Sequence, residues 1–339
     1  MTLLRHTYCC TLSLCLLGTL GLRAFGADAD PEAKVIKLAE SLPNREPIEL
    51  KPIRRLTRST EAYQETNQEA GNSFPGKENS GIVKSRQYPD LFWVENDSGD
   101  DPKIYPIRAS GEDYRSARYA GDLGVTIANA INVDWEDITV DASGNVIVAD
   151  VGNNRNDRRD LVFYIVPEPS PDAGRTTAIK RYFIRYPDQN AFPPQESERN
   201  FDCEAVFTVG DTIHCFSKNR GNKLTTLYRL DHPKSDEVTT LTKLDTLNLN
   251  GQVVGADASS DGKRLVAITY RDIWLFERES TEVSFFDGQV SWAPFRGDQV
   301  ESVCFASDET LFLIDEATGA MQLAQLSDLS LVRAATCKK

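Results

Sequence analysis

Short apolar runs of four to seven residues, separated by clusters of Gly, Asn, Asp and Ser, fill the chain after Ser80. Each run has the length of a strand and each cluster supplies turn residues, so this pattern is typical of an all-β sandwich, barrel or propeller. We predict an all-β domain over residues 78–339. The region 27–77 before it is predicted to hold a short helix or strand and a polar, exposed linker.

One hairpin pattern recurs four times, with an acid, a strand of about five residues, a turn and a second apolar strand. The segments are "WEDITVDASGNVIVAD", "CEAVFTVGDTIHCFSK", "ADASSDGKRLVAITYR" and "VESVCFASDETLFLID", and their acids are Glu136, Glu204, Asp257 and Glu301. A polar residue follows 14 positions after each acid, namely Asp150, Lys218, Arg271 and Asp315. A less regular first copy, "NSGIVKSRQYPDLFWVENDSG", has Glu78 as its offset leading acid and ends in Asn96 and Asp97. A plain sandwich does not predict this shared register.

A third apolar strand follows each hairpin, and several copies continue into a fourth, such as "IKRYFIRY" and "EVSFFD". Four-stranded repeats spaced by roughly 45 to 70 residues are typical of propeller blades. We predict a β-propeller of five blades, with six blades as the alternative. A strand over 48–53 is predicted to complete the last blade, because this would close the ring and remove an exposed edge.

The first strand of each blade lines the channel of a propeller, so the leading acids are expected to meet at one mouth. Carboxylates brought together must be protonated or bind a cation, and carboxylate and amide oxygens suit calcium. The predicted metal ligands are Glu136, Glu204, Asp257, Glu301, Asn96, Asp97 and Asp150. Lys218 and Arg271 are predicted either to neutralise the ring or to hold an anionic substrate. The alternative is that these acids only form salt bridges and turns.

Residues 1–26 have the features of a secretory signal peptide, with a basic start, the apolar run "TYCCTLSLCLLGTLGL" and the small residues "AFG" before Ala27. A retained N-terminal anchor is the alternative. We therefore expect a secreted or periplasmic protein with no membrane span after removal of the signal. Four cysteines follow the signal, and in an oxidising compartment Cys203–Cys215 and Cys304–Cys337 are candidate disulfides, with buried free thiols as the alternative.

The formal net charge of −13 argues against a nucleic-acid partner, because binding the phosphate backbone requires cationic side chains. Common catalytic motifs such as G-x-S-x-G, H-E-x-x-H and the P-loop are also missing from the sequence. Any catalysis by this chain would therefore depend on carboxylates and a metal-bound water.

The segments "SGIVKSRQYPDLFWVENDSGD", "DWEDITVDASGNVIVADVGNNRNDRRDL", "CEAVFTVGDTIHCFSKNRG" and "GADASSDGKRLVAITY" resemble a group of exported bacterial β-propeller proteins, most of which have no known activity. More distantly, the acid-led strands are similar to those of calcium-dependent phytase-like and gluconolactonase-like propellers. That similarity implies that Glu136, Glu204, Asp257 and Glu301 bind calcium. The lysine-rich phosphate pocket of a phytase is not evident.

Two functions fit these observations. The first is a calcium-binding propeller that recognises a small polar ligand or an extracellular partner. The alternative is a metal-dependent hydrolase of phosphoesters or lactones, with Glu136, Lys218 and Arg271 as candidate catalytic residues. We favour the first, because the second also needs an open metal position and a substrate anchor.

Overall fold

The computed structural model describes residues 35–56, 78–115 and 124–335. The predicted signal peptide over 1–26, most of the predicted linker and Cys337 lie outside these residues. Within them the chain forms five sheets, each of four or five strands, and this confirms the predicted five-bladed β-propeller.

The strands are numbered β1 to β24 along the chain, and β1 (Ile36–Lys37) and β2 (Lys51–Arg55) precede the blades. Blade 1 contains β3 (Asn79–Lys84), β4 (Leu91–Asn96), β5 (Lys103–Arg108) and β6 (Val125–Ile127). Blade 2 contains β7 (Trp135–Val140), β8 (Asn145–Asp150), β9 (Val162–Pro167) and, after β10 (Arg175–Thr176), β11 (Lys180–Arg185). Blade 3 contains β12 (Cys203–Val209), β13 (Thr212–Lys218), β14 (Thr225–Arg229) and, after β15 (Val238–Thr240), β16 (Thr242–Asn248).

Blade 4 contains β17 (Val253–Ala258), β18 (Arg264–Thr269), β19 (Asp272–Glu277) and β20 (Gln289–Pro294), and blade 5 contains β21 (Val300–Phe305), β22 (Thr310–Asp315) and β23 (Ala320–Gln325). The chain continues to β24 (Ser330–Arg333), and four short 3₁₀ helices cover Ala39–Ser41, Glu196–Glu198, Phe285–Asp287 and Leu326–Asp328. The prediction of a strand in "EVSFFD" is wrong, because Phe285–Asp287 is helical. The Ser284 side chain caps this turn by accepting a hydrogen bond from the Phe286 amide, and β20 is the fourth strand instead.

Segments from elsewhere in the chain extend or complete every blade. The connections that carry β10 and β15 pair in parallel with the outer strands of blades 1 and 2, and β1 does the same at blade 3. Strand β24 pairs with β20 in blade 4, and β2 pairs with β23 as the outer strand of blade 5. The predicted closure by an N-terminal strand is therefore confirmed, although the strand covers Lys51–Arg55 instead of 48–53.

Successive side chains of a strand point to opposite faces of the blade, and both faces are buried. The strands are therefore continuous apolar runs in the sequence. In β8, Val146 and Val148 pack toward blade 1, whereas Ile147 and Ala149 pack toward blade 3. Each blade therefore has two buried faces, and five hydrophobic clusters fill the five interfaces between blades. The last cluster joins blade 5 to blade 1, so the ring is closed by packing as well as by strand pairing.

Cys203, Cys215 and Cys304 are buried free thiols, which is the alternative to the candidate disulfides. Cys215 lies opposite Val206 in the ladder, whereas Cys203 lies opposite Ser217, so the two thiols are not a directly facing pair. No helix in the described part of the chain is both long and apolar enough to cross a membrane.

Candidate metal centre at the axial mouth

A β-bulge near the start of each inner strand defines equivalent positions in the five blades. The ladder skips one residue there, and the skipped residues are Ser80, Glu136, Glu204, Val254 and Glu301. Three of the four acids predicted to be equivalent, Glu136, Glu204 and Glu301, therefore occupy the same place in their blades.

The predicted equivalence of Asp257 is wrong, because Val254 holds the bulge position of blade 4. Asp257 lies three residues further along β17, about 10 Å at the rise of a strand. Its Oδ2 accepts a hydrogen bond from the Phe305 amide at 2.9 Å, and it lines a cavity at the opposite end of the ring. The alignment by acids matched Asp257 to Glu136 and so placed blade 4 three residues out of register. The blade 4 hairpin, from Val253 to Thr269, is also one residue longer than the blade 2 hairpin, from Trp135 to Asp150.

Two further positions bring acids to the mouth. The residue before each inner strand is Glu78, Asp134, Asp202, Gln252 or Gln299. On the facing strand, the residue that follows the partner of the inner strand's first residue is Asp97, Val151, Lys218, Tyr270 or Glu316. Sequence reasoning identified Asp97 and gave Glu78 as the offset leading acid of the first copy, but missed Asp134, Asp202 and Glu316. The repeated D-x-E of "DWE" and "DCE" was the signal that would have identified Asp134 and Asp202.

Carboxylate oxygens converge in three overlapping groups that run from blade 5 through blades 1 and 2 to blade 3. Within each group, one oxygen from every residue lies within 4.8 Å of the others. The groups are Glu78, Asp97 and Glu316; Asp97, Asp134 and Glu136; and Glu136, Asp202 and Glu204. Because Asp97 and Glu136 each belong to two groups, the acids form one continuous arc.

The centre of this arc is the group Asp97, Asp134 and Glu136, which we call the acidic corner. Glu136 is only 3% exposed, and no side chain or backbone amide among the described residues donates a hydrogen bond to its carboxylate. Gly152 allows the close approach, because a Cβ there would lie 2.1 Å from Glu136 Oε1 and 2.5 Å from the Asp134 carboxylate.

Burial and mutual repulsion raise the pKa values of the acidic corner. Burial is the main cause for Glu136, followed by the charges of Glu204 and Asp97, and its pKa lies well above the usual range. Burial and the charge of Asp97 raise the pKa of Asp134 to about 6, and burial also raises the pKa of Asp97. These three groups therefore favour a proton or a cation.

Glu204 and Glu301 are held by a bridge of four side chains that joins blades 3, 4 and 5. Lys218 Nζ donates to Glu204 Oε2 at 2.8 Å and to the Tyr270 hydroxyl at 2.9 Å, and that hydroxyl donates to Glu301 Oε1 at 2.8 Å. Burial alone would lower the pKa of Lys218, but the adjacent acids outweigh it and hold its pKa above the usual range. Arg220 adds ion pairs to Asp202 at 2.6 Å and to Glu204 at 3.3 Å.

The other predicted site residues lie beside the mouth or away from it. Asp150 accepts hydrogen bonds from the Asp134 amide at 3.1 Å and from Arg158 at 2.8 Å, so it supports the loop that carries Asp134. Asp150 belongs to none of the three carboxylate groups. The Asn96 side chain accepts a hydrogen bond from the Asn79 side-chain amide and donates one to Asp100. Arg271 lines a separate cavity, together with Tyr270.

No protein-family model and no curated protein matches the chain. Solved structures with a similar fold include virginiamycin B lyase from Staphylococcus aureus, which is 12% identical with a TM-score of 0.38 over 75% of this chain and 68% of that chain. Another is assigned as a gluconolactonase, at 10% identity and a TM-score of 0.42 over 77% and 78% of the two chains. These neighbours are β-propellers, as the resemblance implied, and the likeness concerns the fold alone.

Proposed function

We propose that the acidic corner binds a calcium ion through Asp97, Asp134 and Glu136, and that the protein acts as a calcium-dependent binding or interaction module outside the cytoplasm. The observation that carries this proposal is the buried Glu136 carboxylate, which has no hydrogen-bond donor among the described residues and two acids beside it. Burying such a carboxylate is costly unless a proton or a cation compensates its charge.

The spacing of the oxygens supports calcium. Calcium binds oxygen ligands at 2.3–2.6 Å, so two ligands on opposite sides of the ion lie about 4.8 Å apart. The three oxygens of the acidic corner lie within that separation of one another. Three carboxylates supply fewer than the six to eight ligands that calcium takes, so water or oxygens of an external ligand would complete the shell. Asp97 and Asp134 are only partly buried, which leaves that side open.

Binding fits the mouth better than hydrolysis. Of the two substrate anchors predicted for a hydrolase, Lys218 is engaged by Glu204 and Tyr270, and Arg271 lies in a separate cavity. An anionic substrate at the acidic corner would therefore meet an excess of carboxylates. A polar ligand that coordinates the calcium through neutral oxygens avoids this repulsion.

Calorimetric titration of the chelated full chain with calcium tests the proposal. We expect a single site with a dissociation constant on the order of 10⁻⁴–10⁻³ M, as in extracellular calcium modules, and a melting temperature that rises with calcium. Glu136→Gln should weaken binding at least about tenfold, because it removes the central charged ligand. It should also raise the stability of the calcium-free protein, because it removes repulsion.

Glu301→Gln is the matched control, because Glu301 occupies the equivalent bulge but is bound by Tyr270. It should change calcium affinity much less than Glu136→Gln does, because Glu301 lies outside the acidic corner and acts on Asp97 only through its charge. Absence of binding and of thermal stabilisation up to millimolar calcium would contradict the proposal. Equal loss of binding in both variants would show that the ion does not sit at the acidic corner.

A further inference from the structure

A cavity of about 980 Å³ lies beside the axial mouth, where the N-terminal segment crosses blade 4. One wall is the segment around Asn44 and Arg45, which is held by hydrogen bonds from Arg45 to Ser330 Oγ at 2.6 Å and to the Asp328 carbonyl. The other walls are the loops around residues 248–252, 269–272 and 292–298. The volume is in the usual range of small-molecule pockets.

The charge of this cavity is opposite to that of the whole chain. Its lining includes four cations, Arg45, Lys223, Arg271 and Arg296, against two acids, Asp272 and Asp298, in a chain of net charge −13. Arg45 donates only to neutral oxygens, so its charge is not paired. Lys223, Arg271 and Arg296 form no ion pair with any described residue.

One of the two acids is already engaged. Asp272 Oδ1 accepts a hydrogen bond from Trp292 Nε1 at 2.8 Å, and its Oδ2 accepts one from Thr269 at 3.2 Å. Burial raises the pKa of Asp272, and the charge of Arg271 opposes this rise. The two acids offset only part of this charge, and the lining keeps two more cations than acids.

Neutral polar groups complete the lining. The side chains of Asn44 and Asn250 make no hydrogen bond with any described residue, and Tyr270 presents a half-buried ring. Amides both donate to and accept from hydroxyl groups, whereas Arg and Lys pair with carboxylate or phosphate oxygens. The cavity thus combines sites for hydroxyls with sites for an anionic group.

We propose that this cavity binds a small polyhydroxylated ligand that carries a carboxylate or a phosphate, such as a sugar acid or a sugar phosphate. The anionic group lies against Arg271 and Arg296, and the hydroxyls lie against the amides. This site is separate from the acidic corner and does not depend on calcium there.

Calorimetry with glucuronate, glucose 6-phosphate, glucose and inorganic phosphate as probes tests the assignment, in low salt and without calcium. We expect at least one of the charged sugars to bind about tenfold or more tighter than glucose and tighter than inorganic phosphate. If glucuronate binds more tightly than glucose 6-phosphate, the anionic group is a carboxylate, and in the opposite case it is a phosphate. Binding of both charged sugars no tighter than glucose, or no tighter than inorganic phosphate, overturns the proposal.

Variants locate the site. Arg271→Ala and Arg296→Ala should each weaken binding of the charged sugar about tenfold, whereas Arg155→Ala, an exposed arginine of blade 2, should have no effect. Both cavity arginines are exposed and unpaired, so melting curves should show that the variants fold. Wild-type affinity in the double variant overturns the proposal. Glu136→Gln should keep sugar binding, which separates this test from the test of the calcium site.

Discussion

Glu136 in blade 2 and Glu204 in blade 3 occupy the same bulge of neighbouring inner strands, and each is only 3% exposed. Glu204 is held by Lys218 at 2.8 Å and by Arg220 at 3.3 Å. No described residue donates to Glu136, which instead faces Asp97 and Asp134. The fold places both carboxylates alike, but their neighbours give one an ion pair and leave the other without a partner for its charge.

The difference arises from one position on the adjacent strand. At the position that follows the partner of the inner strand's first residue, blade 3 has Lys218 and blade 4 has Tyr270. Blade 2 has Val151 there, and blades 5 and 1 have Glu316 and Asp97. Half of the mouth is therefore neutral within itself and half is acidic. Four changes test this division.

Lys218→Met should have the largest effect, because it leaves Glu204 buried with only the longer Arg220 contact. Removing one partner of a buried ion pair costs about 3–5 kcal/mol in the free energy of unfolding. Urea unfolding measures this loss. Adding Glu204→Gln should restore most of it, since no uncompensated charge remains, and a loss below about 1 kcal/mol in the single variant would show that this pair does not hold the neutral half together.

Gly152→Ala acts on the acidic half. The new Cβ would lie 2.1 Å from Glu136 Oε1, so the carboxylate must move and calcium affinity should fall at least about tenfold, as measured by calorimetry. Gly144→Ala is the control in the same blade, because Gly144 has a φ of +79° and a Cβ added there would meet no atom within 4 Å. It should cost about 1 kcal/mol of stability and leave calcium affinity unchanged. Unchanged affinity in Gly152→Ala would contradict the placement of the ion.

The acidic half should also make stability depend on pH. Burial raises the pKa of Asp134 to about 6 and that of Glu316 to about 8, so the folded state holds these protons more tightly than the unfolded state. Their stabilising contribution is complete below pH about 4 and is lost as the pH rises through 6 and 8. The melting temperature of the calcium-free protein should fall by roughly 3–5 °C between pH 5 and pH 8.5.

Saturating calcium should flatten this dependence, because the bound ion stabilises the ionised carboxylates. Calorimetric scans with and without calcium make the comparison. An increase of stability with pH in the calcium-free protein over this range would contradict the assignment.

Tyr270→Phe should have the smallest effect. It removes the hydroxyl between Lys218 and Glu301, and since Tyr270 is half-buried, water can replace part of the interaction. We expect a loss of about 1 kcal/mol in urea unfolding and no change in calcium affinity. A tenfold change in calcium affinity would show that the two halves of the mouth are coupled.

Local pattern was sufficient to predict the propeller, its five blades and its closing strand, because strand length and turn residues are encoded over a few neighbouring residues. It was also sufficient to select Glu136, Glu204 and Glu301 as equivalent acids. It failed at Asp257, an acid that lies three positions beyond the bulge. It also failed at Arg271, which was selected only because it follows Asp257 by 14 residues. A bulge and a turn of different length move the register without leaving a clear sign in the apolar pattern.

By itself the sequence determined that acid-led hairpins are arranged around one axis and that most of their acids gather at one mouth. Tertiary structure decided which of those acids are neutralised, because Lys218, Tyr270 and Glu301 belong to three different blades and meet only when the ring closes. It also placed Glu136 beside Asp97 and Asp134, with no hydrogen-bond donor among the described residues. Electrostatic energy depends on distances between side chains that are far apart in the chain, and those distances are set by packing.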